Sequence, residues 1–584
     1  LTGGSANDFF KFSPDGVLSG KIDGGAHETL DTVDYGSITA ALTIDLAAEV
    51  LSNIEELIGN GATKLQGPNM LSAWEFSGGR NQGVVAYNGD QRMSFNGVHN
   101  VVGGNQIDIF RFSGGALITN GVNGGDGADH FEVAPGMGVN QATWLAGGAG
   151  ADSLEFIGGE GWSGTYGPNV DGAPVFSFIA PAANDLSFSI GYSGMESVLM
   201  RSALDRITLN GTAEADHYRL GADSWQWSSL LPVFYRDTLQ SITVASESDD
   251  TVAITGRVAV TNEIRFNGGT LVIDSSEPIS ARHLVLAGLH TAGTIERPIN
   301  TAVEALSLLD NLAEVHVIET DGLDLRGLSG ELAINLALLN GDLKQTEALN
   351  TAADLTFTAE RGNIQLDHDE NLLTGLVTVE ARNNATLHNA GDTQLGALDA
   401  ENFTLVSAGD IYSESVISVD EITQLTSGGE INLVAEDNDL NDVSAKAAGN
   451  IQLADRNSLV LSSIESESGN IDIATQGAQG LGLLSAAQGE VRLHSGGVMV
   501  DWNGTQTNVR AQRFFGRSVD GIGSSTDPLE TEISAVDLVN QRNTVALDNS
   551  GSLTIERVHN GGDINLKNST DVTFIKESIN AFHG

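Results

Sequence analysis

A chain of 584 residues exceeds what one compact core usually encloses, which leaves several globular domains or one elongated repeat array. Its 28 Lys and Arg stand against 77 Asp and Glu, a net charge of −49, which argues against nucleic acid and anionic membrane as partners. With no cysteine there is no disulfide framework, thiolate metal site or cysteine nucleophile, and no apolar run reaches the roughly 18 residues of a membrane span. Seventy glycines accompany only 10 prolines. Short runs of Val, Ile, Leu and Thr lie between Gly, Asn, Asp and Ser, the pattern of strands between turns. No signal peptide opens the chain, and LTGGSANDFF and NAFHG both read as cuts through a repeat, so a piece of a larger protein is expected.

Residues 1–220 carry a glycine-aspartate phrase. It appears as GGSANDFFKF at Gly3, GGNQIDIFRF at Gly103, GGDGADHFEV at Gly124 and GGAGADSLEF at Gly147, and as GTAEADHYRL at Gly211 without the second glycine. An aspartate follows five residues after each first glycine: Asp8, Asp108, Asp129, Asp152 and Asp216. A second phrase recurs as SNIEELIGNG at Ser52, NGVHNVVGG at Asn96 and SGMESVLM at Ser193. The first phrase resembles the calcium-binding nonapeptide of repeats-in-toxin proteins, which makes Asp129 and Asp152 candidate calcium ligands. That roll needs tandem copies nine residues apart, whereas the close copies here start at 103, 124 and 147. A continuous roll is therefore not expected, and the aspartates read as turn caps before strands or as isolated ion sites.

The rhythm breaks between about 158 and 200, where GEGWSGTYGPN precedes the paired runs VFSFIAP and LSFSIGY. An extra hairpin leaning on the repeat array is expected there. Trp162 and Tyr166 lie in this excursion, and Trp225 and Trp227 in DSWQW share one face of a strand. Aromatic faces stack on sugar rings, so these four are candidate ligand-binding residues, with core packing as the alternative.

From 221 to 584 the phrase is G-x-I-x-L. Its glycines stand at 409, 429, 449, 469 and 489, a step of twenty, with related copies at Gly362, Gly391 and Gly562. Fixed-period similarity marks a solenoid. The frame of a leucine-rich repeat is missing, and short strands separated by turns point to a parallel β-helix. Stacked coils would place Ile411, Ile431, Ile451, Ile471 and Val491 in one buried column. The glycine is a corner that needs positive φ or a close backbone approach. Asp410, Glu430, Asn450, Asn470 and Glu490 follow the glycines and would stack about 4.8 Å apart, as a ladder or as exposed turn residues. Coils of about 22 residues would number roughly 26, in a rod on the order of 125 Å long. Two acidic loops begin like a calcium loop, Asp367-His368-Asp369-Glu370-Asn371 and Asp437-Asn438-Asp439-Leu440-Asn441-Asp442. Both lack the glycine and distal glutamate of an EF-hand. Asp367, Asp369, Asp437 and Asp439 are candidate calcium ligands, with ordinary polar turns as the alternative.

The phrases DFFKFSPDGVLSGKIDGGAHETLDTVDY, NIEELIGNG, SVDGIGSSTDPLETEISAVDLVNQ and Gly551-Ser-Leu-Thr-Ile555 resemble the filamentous-haemagglutinin-like adhesins exported by two-partner secretion. These include biofilm-matrix adhesins that bind exopolysaccharide. The resemblance spans nearly the whole chain, in repeat style rather than in a catalytic motif. It implies a right-handed parallel β-helix, export through an outer-membrane transporter to the bacterial cell surface or biofilm matrix, and attachment to extracellular polysaccharide or other cells. No G-x-S-x-G, P-loop or H-E-x-x-H occurs, and the 12 histidines are scattered, so catalysis is not expected. The alternatives are a passive stalk and a β-helical polysaccharide lyase or hydrolase.

Overall fold

The computed structural model describes residues 1–26, 30–89, 91–134, 141–158, 161–180, 187–202, 204–235, 239–312, 314–330, 333–575 and 579–581. Among these residues every regular element is a β-strand and no helix occurs. The chain forms two compact units, Leu1–Val285 and Leu286–Gly584. The change of repeat phrase near residue 220 lies inside the first.

In the second unit, strands one coil apart pair in parallel. Ile411 pairs with Ile431, Ile431 with Ile451, Ile451 with Ile471, and Ile471 with Val491. All five side chains are buried. Beside them Leu433, Leu453, Ile473 and Leu493 make a second buried column. Strand alternation turns the residues between, Tyr412, Asn432, Gln452, Asp472 and Arg492, to the outer face. Each buried Leu or Ile is worth about 1.5–3 kcal/mol, but only once the neighbouring coil covers it. The looser copies of the phrase serve other columns. Ile364 stacks on Ala385, which stacks on Phe403, whereas Thr393 continues the Ile411 column. Ile564 stacks on Val545. One phrase recurs in several columns because each strand entered from a tight corner poses the same problem.

The corner glycines answer that problem by close approach. Gly429, Gly449, Gly469 and Gly489 do not adopt positive φ. A Cβ on Gly429 would lie 2.0 Å from Asp410 Oδ1, and one on Gly489 would lie 2.2 Å from the Gly469 carbonyl oxygen. The residues after these glycines form the ladder. Asp392 Oδ1 accepts the N–H of Asp410 at 2.9 Å, and Asp410 Oδ1 accepts that of Glu430 at 2.7 Å. Asn450 Oδ1 accepts from Asn470, and Asn470 Oδ1 from Glu490, each at 2.8 Å. An exposed side-chain oxygen on one coil thus satisfies the corner amide of the next, which the strand ladder itself leaves out.

The first unit is built around aromatic residues. Trp74 pairs with Phe110, Phe110 with Phe131, Phe131 with Leu154, Leu154 with Val198, and Val198 with Val233, all buried. The Phe110 and Phe131 rings stack with centroids 4.7 Å apart. Among the described residues three antiparallel meanders interrupt the parallel pairing, and each is part of the sheet. Gln82–Tyr87 runs antiparallel to both Ser72–Ser77 and Gln91–Val102. Ser72–Ser77 then pairs in parallel with Asp108–Ser113, and Gln91–Val102 with Glu56–Gln66. The same scheme joins Ser163–Pro168, Pro174–Ile179 and Ser187–Ser193, and again His217–Leu220, Ser224–Trp227 and Val233–Tyr235. The hairpin expected to lean on the array is therefore in the wall itself. Residues 159–160 and 181–186 of that excursion lie outside the described residues. Insertion into the wall gives the middle strand two partners, so its backbone groups are satisfied and no sheet edge is exposed at that point.

The corner geometry sets a testable ranking. A methyl added at Gly469 would meet the Gly449 carbonyl carbon at 2.5 Å, whereas one at Gly449 first meets the Glu430 side chain at 2.8 Å. Gly469→Ala is expected to cost about 1–3 kcal/mol, read as a lowered urea midpoint, and Gly449→Ala distinctly less.

Candidate functional site

The repeat aspartates of the first unit form a chain of hydrogen bonds from coil to coil. The N–H of Asp108 donates to Asp129 Oδ1 and that of Asp129 to Asp152 Oδ1, each at 2.8 Å. The N–H of Asp152 donates to Glu196 Oε2 at 2.6 Å. The pattern repeats from Asp8 to Asp31 to Glu55 and from Asp216 to Asp250. Glu55 and Glu196 come from the second sequence phrase, so the two phrases occupy equivalent places, and a longer acid closes these two runs, whereas the third ends on Asp250. The other carboxylate oxygen caps the preceding turn, at Gly4 for Asp8, Gly104 for Asp108 and Thr212 for Asp216. Asp129 and Asp152 differ in that their buried Oδ2 atoms have no hydrogen-bond partner. The N–H of Gly125 goes to Asn123 Oδ1 instead. Burial pushes the Asp129 carboxyl up to about 7, with repulsion from Asp108, Asp152 and Asp126 adding to it. Burial also raises Asp152, and Glu196 reinforces the shift. Among the described residues no three His, Asp or Glu side chains gather as metal ligands would.

In the acidic loops of the second unit the buried polar residue is asparagine. Asn438 Oδ1 accepts the N–H of Ile417 at 2.9 Å, and its Nδ2 donates to Leu433 O and Ala454 O, each at 3.2 Å. Asn371 repeats the scheme with the N–H of Leu349 and the carbonyls of Leu366 and His388. Each asparagine pins its own turn to the coils on either side. Around them the aspartates lie nearer the surface. Asp367 accepts from Gln365 Nε2 at 2.7 Å, and Asp369 meets His388 Nδ1 at 2.8 Å. Asp439 pairs with Arg456 and accepts from Asn457, and Asp437 is exposed.

The four aromatic residues expected at a sugar-binding surface are in the core. Trp162 is 9% exposed, Tyr166 1%, Trp225 1% and Trp227 6%. Tyr166 lies against Phe176, with its hydroxyl 3.2 Å from that of Tyr192, and burial pushes it up to about 12. Trp225 stacks on Tyr235 at 5.4 Å. The meander strands alternate, and these rings fall on the inner phase. Sequence reasoning passed over Trp502, which is 61% exposed. Its ring rests against Gly480, whose added Cβ would lie 3.3 Å from it. The usable signal was its setting: Trp502 sits in Asp501-Trp502-Asn503-Gly504, a polar turn, rather than in a strand alternation. Elsewhere on the sheet, Phe515 is covered by Arg517, whose guanidinium lies 3.5 Å from the ring centre.

Residues 313–380 and 382–446 match a family described as Repeats of unknown function (DUF5649). Both matched stretches lie in the second unit and take in the Gly362, Gly391, Gly409 and Gly429 phrases. No curated protein matches the chain.

Two outcomes follow from these sites. Asn438→Ala leaves three buried backbone groups without partners and is expected to cost about 2–4 kcal/mol, whereas Asp437→Ala stays within about 0.5 kcal/mol. Thermal unfolding with and without chelator checks this, since a calcium loop would reverse the order and make the native protein chelator-sensitive. The Asp129 carboxyl holds its proton more tightly folded than unfolded. Its contribution is complete below the ordinary value of 3.8 and is lost as pH rises through about 7. Hydrogen exchange across residues 103–134, corrected for the intrinsic pH effect, is expected to be slower at about pH 5 than at about pH 9, and Asp129→Asn to flatten that difference.

Proposed function

We propose that this chain is part of the β-helical scaffold of an exported bacterial surface or biofilm-matrix adhesin, whose outer wall holds exopolysaccharide. The observation that carries this reading is the wall of the second unit. Parallel coils set outward side chains one above another at strand spacing, from Tyr412 through Asn432, Gln452, Asp472 and Arg492 to Phe515. Such a wall offers a long polymer many similar contacts in a line, each weak and together strong through multivalency. The resemblance of the repeats to two-partner-secretion adhesins supports the same reading and supplies the export route, through an outer-membrane transporter. The charge of −49 keeps copies of the chain apart, so a polymer bridging them is a sensible glue.

The test is retention of the whole chain on a panel of immobilised bacterial exopolysaccharides, with calcium and with chelator, followed by sizing of the polymer. Saturable binding to at least one polymer, without shortening, is the expected result. Retention on none would reduce this chain to a spacer, and shortened polymer would make it an enzyme.

A further inference from the structure

The line of outward side chains that passes through Asp472 and Arg492 runs into a basic island on the wall of the second unit. Arg492 pairs with Phe515, Phe515 with Asp537, and Asp537 with Arg557, so these side chains stand one strand spacing apart on successive coils. Arg513 and Arg517 lie two residues to either side of Phe515 on its own strand, and so share its face. Three guanidiniums gather on that ring, Arg517 at 3.5 Å from its centre, Arg492 at 5.6 Å and Arg513 at 6.0 Å.

Few carboxylates answer them. Asp537 takes Arg557 on both oxygens at 2.8 and 3.0 Å, Arg517 at 3.1 Å and Arg513 at 3.7 Å. Arg513 also meets Glu556 at 2.7 Å, and Arg492 donates from Nε and Nη2 to Glu490 at 3.0 and 2.6 Å. Four guanidiniums thus stand against three contacting carboxylates, where the whole chain sets 28 basic residues against 77 acidic ones. Asp472 borders the island from the preceding coil. The side chains of Arg492 and Arg557 are 42% and 50% exposed, and their Nη1 groups have no hydrogen-bond partner among the described residues. Ring contacts and ion pairs already hold the planar groups in place, so an anion binding there has little left to order.

We propose that Arg492, Arg513, Arg517 and Arg557 form a docking site for an acidic polysaccharide, whose carboxylates, repeated along the polymer, pair with guanidiniums on successive coils. The inference rests on the adhesin reading and names the polymer class. A guanidinium meets a carboxylate in a planar fork of two charge-assisted hydrogen bonds, which a neutral sugar does not offer. Elsewhere the field of a chain carrying −49 repels such a polymer, which confines it to this island. The acidic wall of a second copy also presents carboxylates, but that copy brings its whole charge of −49 with it.

Alginate and polygalacturonate serve as carboxylated probes, mannan as the neutral one and dextran sulfate as a strong polyanion, each titrated into the whole chain with chelator present. The carboxylated probes are expected to bind at low salt and to weaken steeply as salt rises. Arg492→Gln is expected to weaken them roughly tenfold through loss of a charged hydrogen bond, and Arg492→Glu further, with the thermal midpoint unmoved. Arg361→Gln, at an exposed arginine outside the island, should leave binding unchanged. Equal binding by the native, Arg492→Glu and Arg557→Gln chains overturns the island, and so does preference for mannan; retention on the exopolysaccharide panel then keeps the adhesin reading. Binding that follows charge density alone, with dextran sulfate held best, overturns recognition of carboxylates. Self-association in sedimentation that Arg492→Glu abolishes gives the island to a second copy instead. Binding by none of the probes overturns the island, and removes the adhesin reading only when the panel fails as well.

Discussion

The buried columns of this protein depend on parallel registration of one coil with the next. A single coil has a thin apolar interior and cannot bury it alone. The Ile411 to Val491 column becomes a core only because each residue lies under its equivalent one coil later. A slip of one residue would turn that column outward and bring Tyr412, Asn432 and Gln452 in. The polar features of both units can be understood as devices that prevent such a slip.

The two units use the same device in opposite senses. In the first, the corner amide of one coil donates forward to a buried carboxylate of the next, as Asp108 does to Asp129. In the second, the corner amide of a later coil donates back to an exposed side chain of the earlier one, as Glu430 does to Asp410. Burial separates the consequences. The exposed ladder tolerates Asp, Glu or Asn, because water screens it and its chemistry is only that of an acceptor. The buried ladder places the carboxylates of Asp108, Asp129 and Asp152 in succession, and repulsion adds to the burial that raises Asp129. Buried asparagines at 371, 438 and 508 do comparable work without charge. An amide carries both a donor and two acceptor positions, so one side chain joins the coils on both sides.

The outer wall is free to carry function because the corners and columns carry the register. On that wall Phe515 lies beneath Arg517, whereas the described tryptophans of the meanders fill the interior. Trp502 stands apart because it leaves the strand at a turn, where alternation no longer decides which way a side chain points. The turn that carries it is tied by buried Asn508, which donates to Leu481 O and accepts the N–H of Glu530 much as Asn438 bridges its own neighbouring coils.

The sequence by itself determined the all-β class, the twenty-residue period, the aliphatic column from Ile411 to Val491 and the need for glycine at its corners. These are legible because they repeat, and repetition reports what every coil requires of its neighbours. It left open whether the glycines serve φ or proximity, and only the stacked backbones decide for proximity. It could not reveal that the excursion enters the wall, because antiparallel and parallel strands share one alternation pattern. Nor could it separate Trp225 from Trp502, since the phase of a strand relative to the core is a tertiary fact. The unpartnered oxygens of Asp129, Asp152, Asp501 and Glu530 were hidden for a related reason. Whether a carboxylate finds a donor depends on the coils above and below it, about twenty residues away in the chain and one strand spacing away in space.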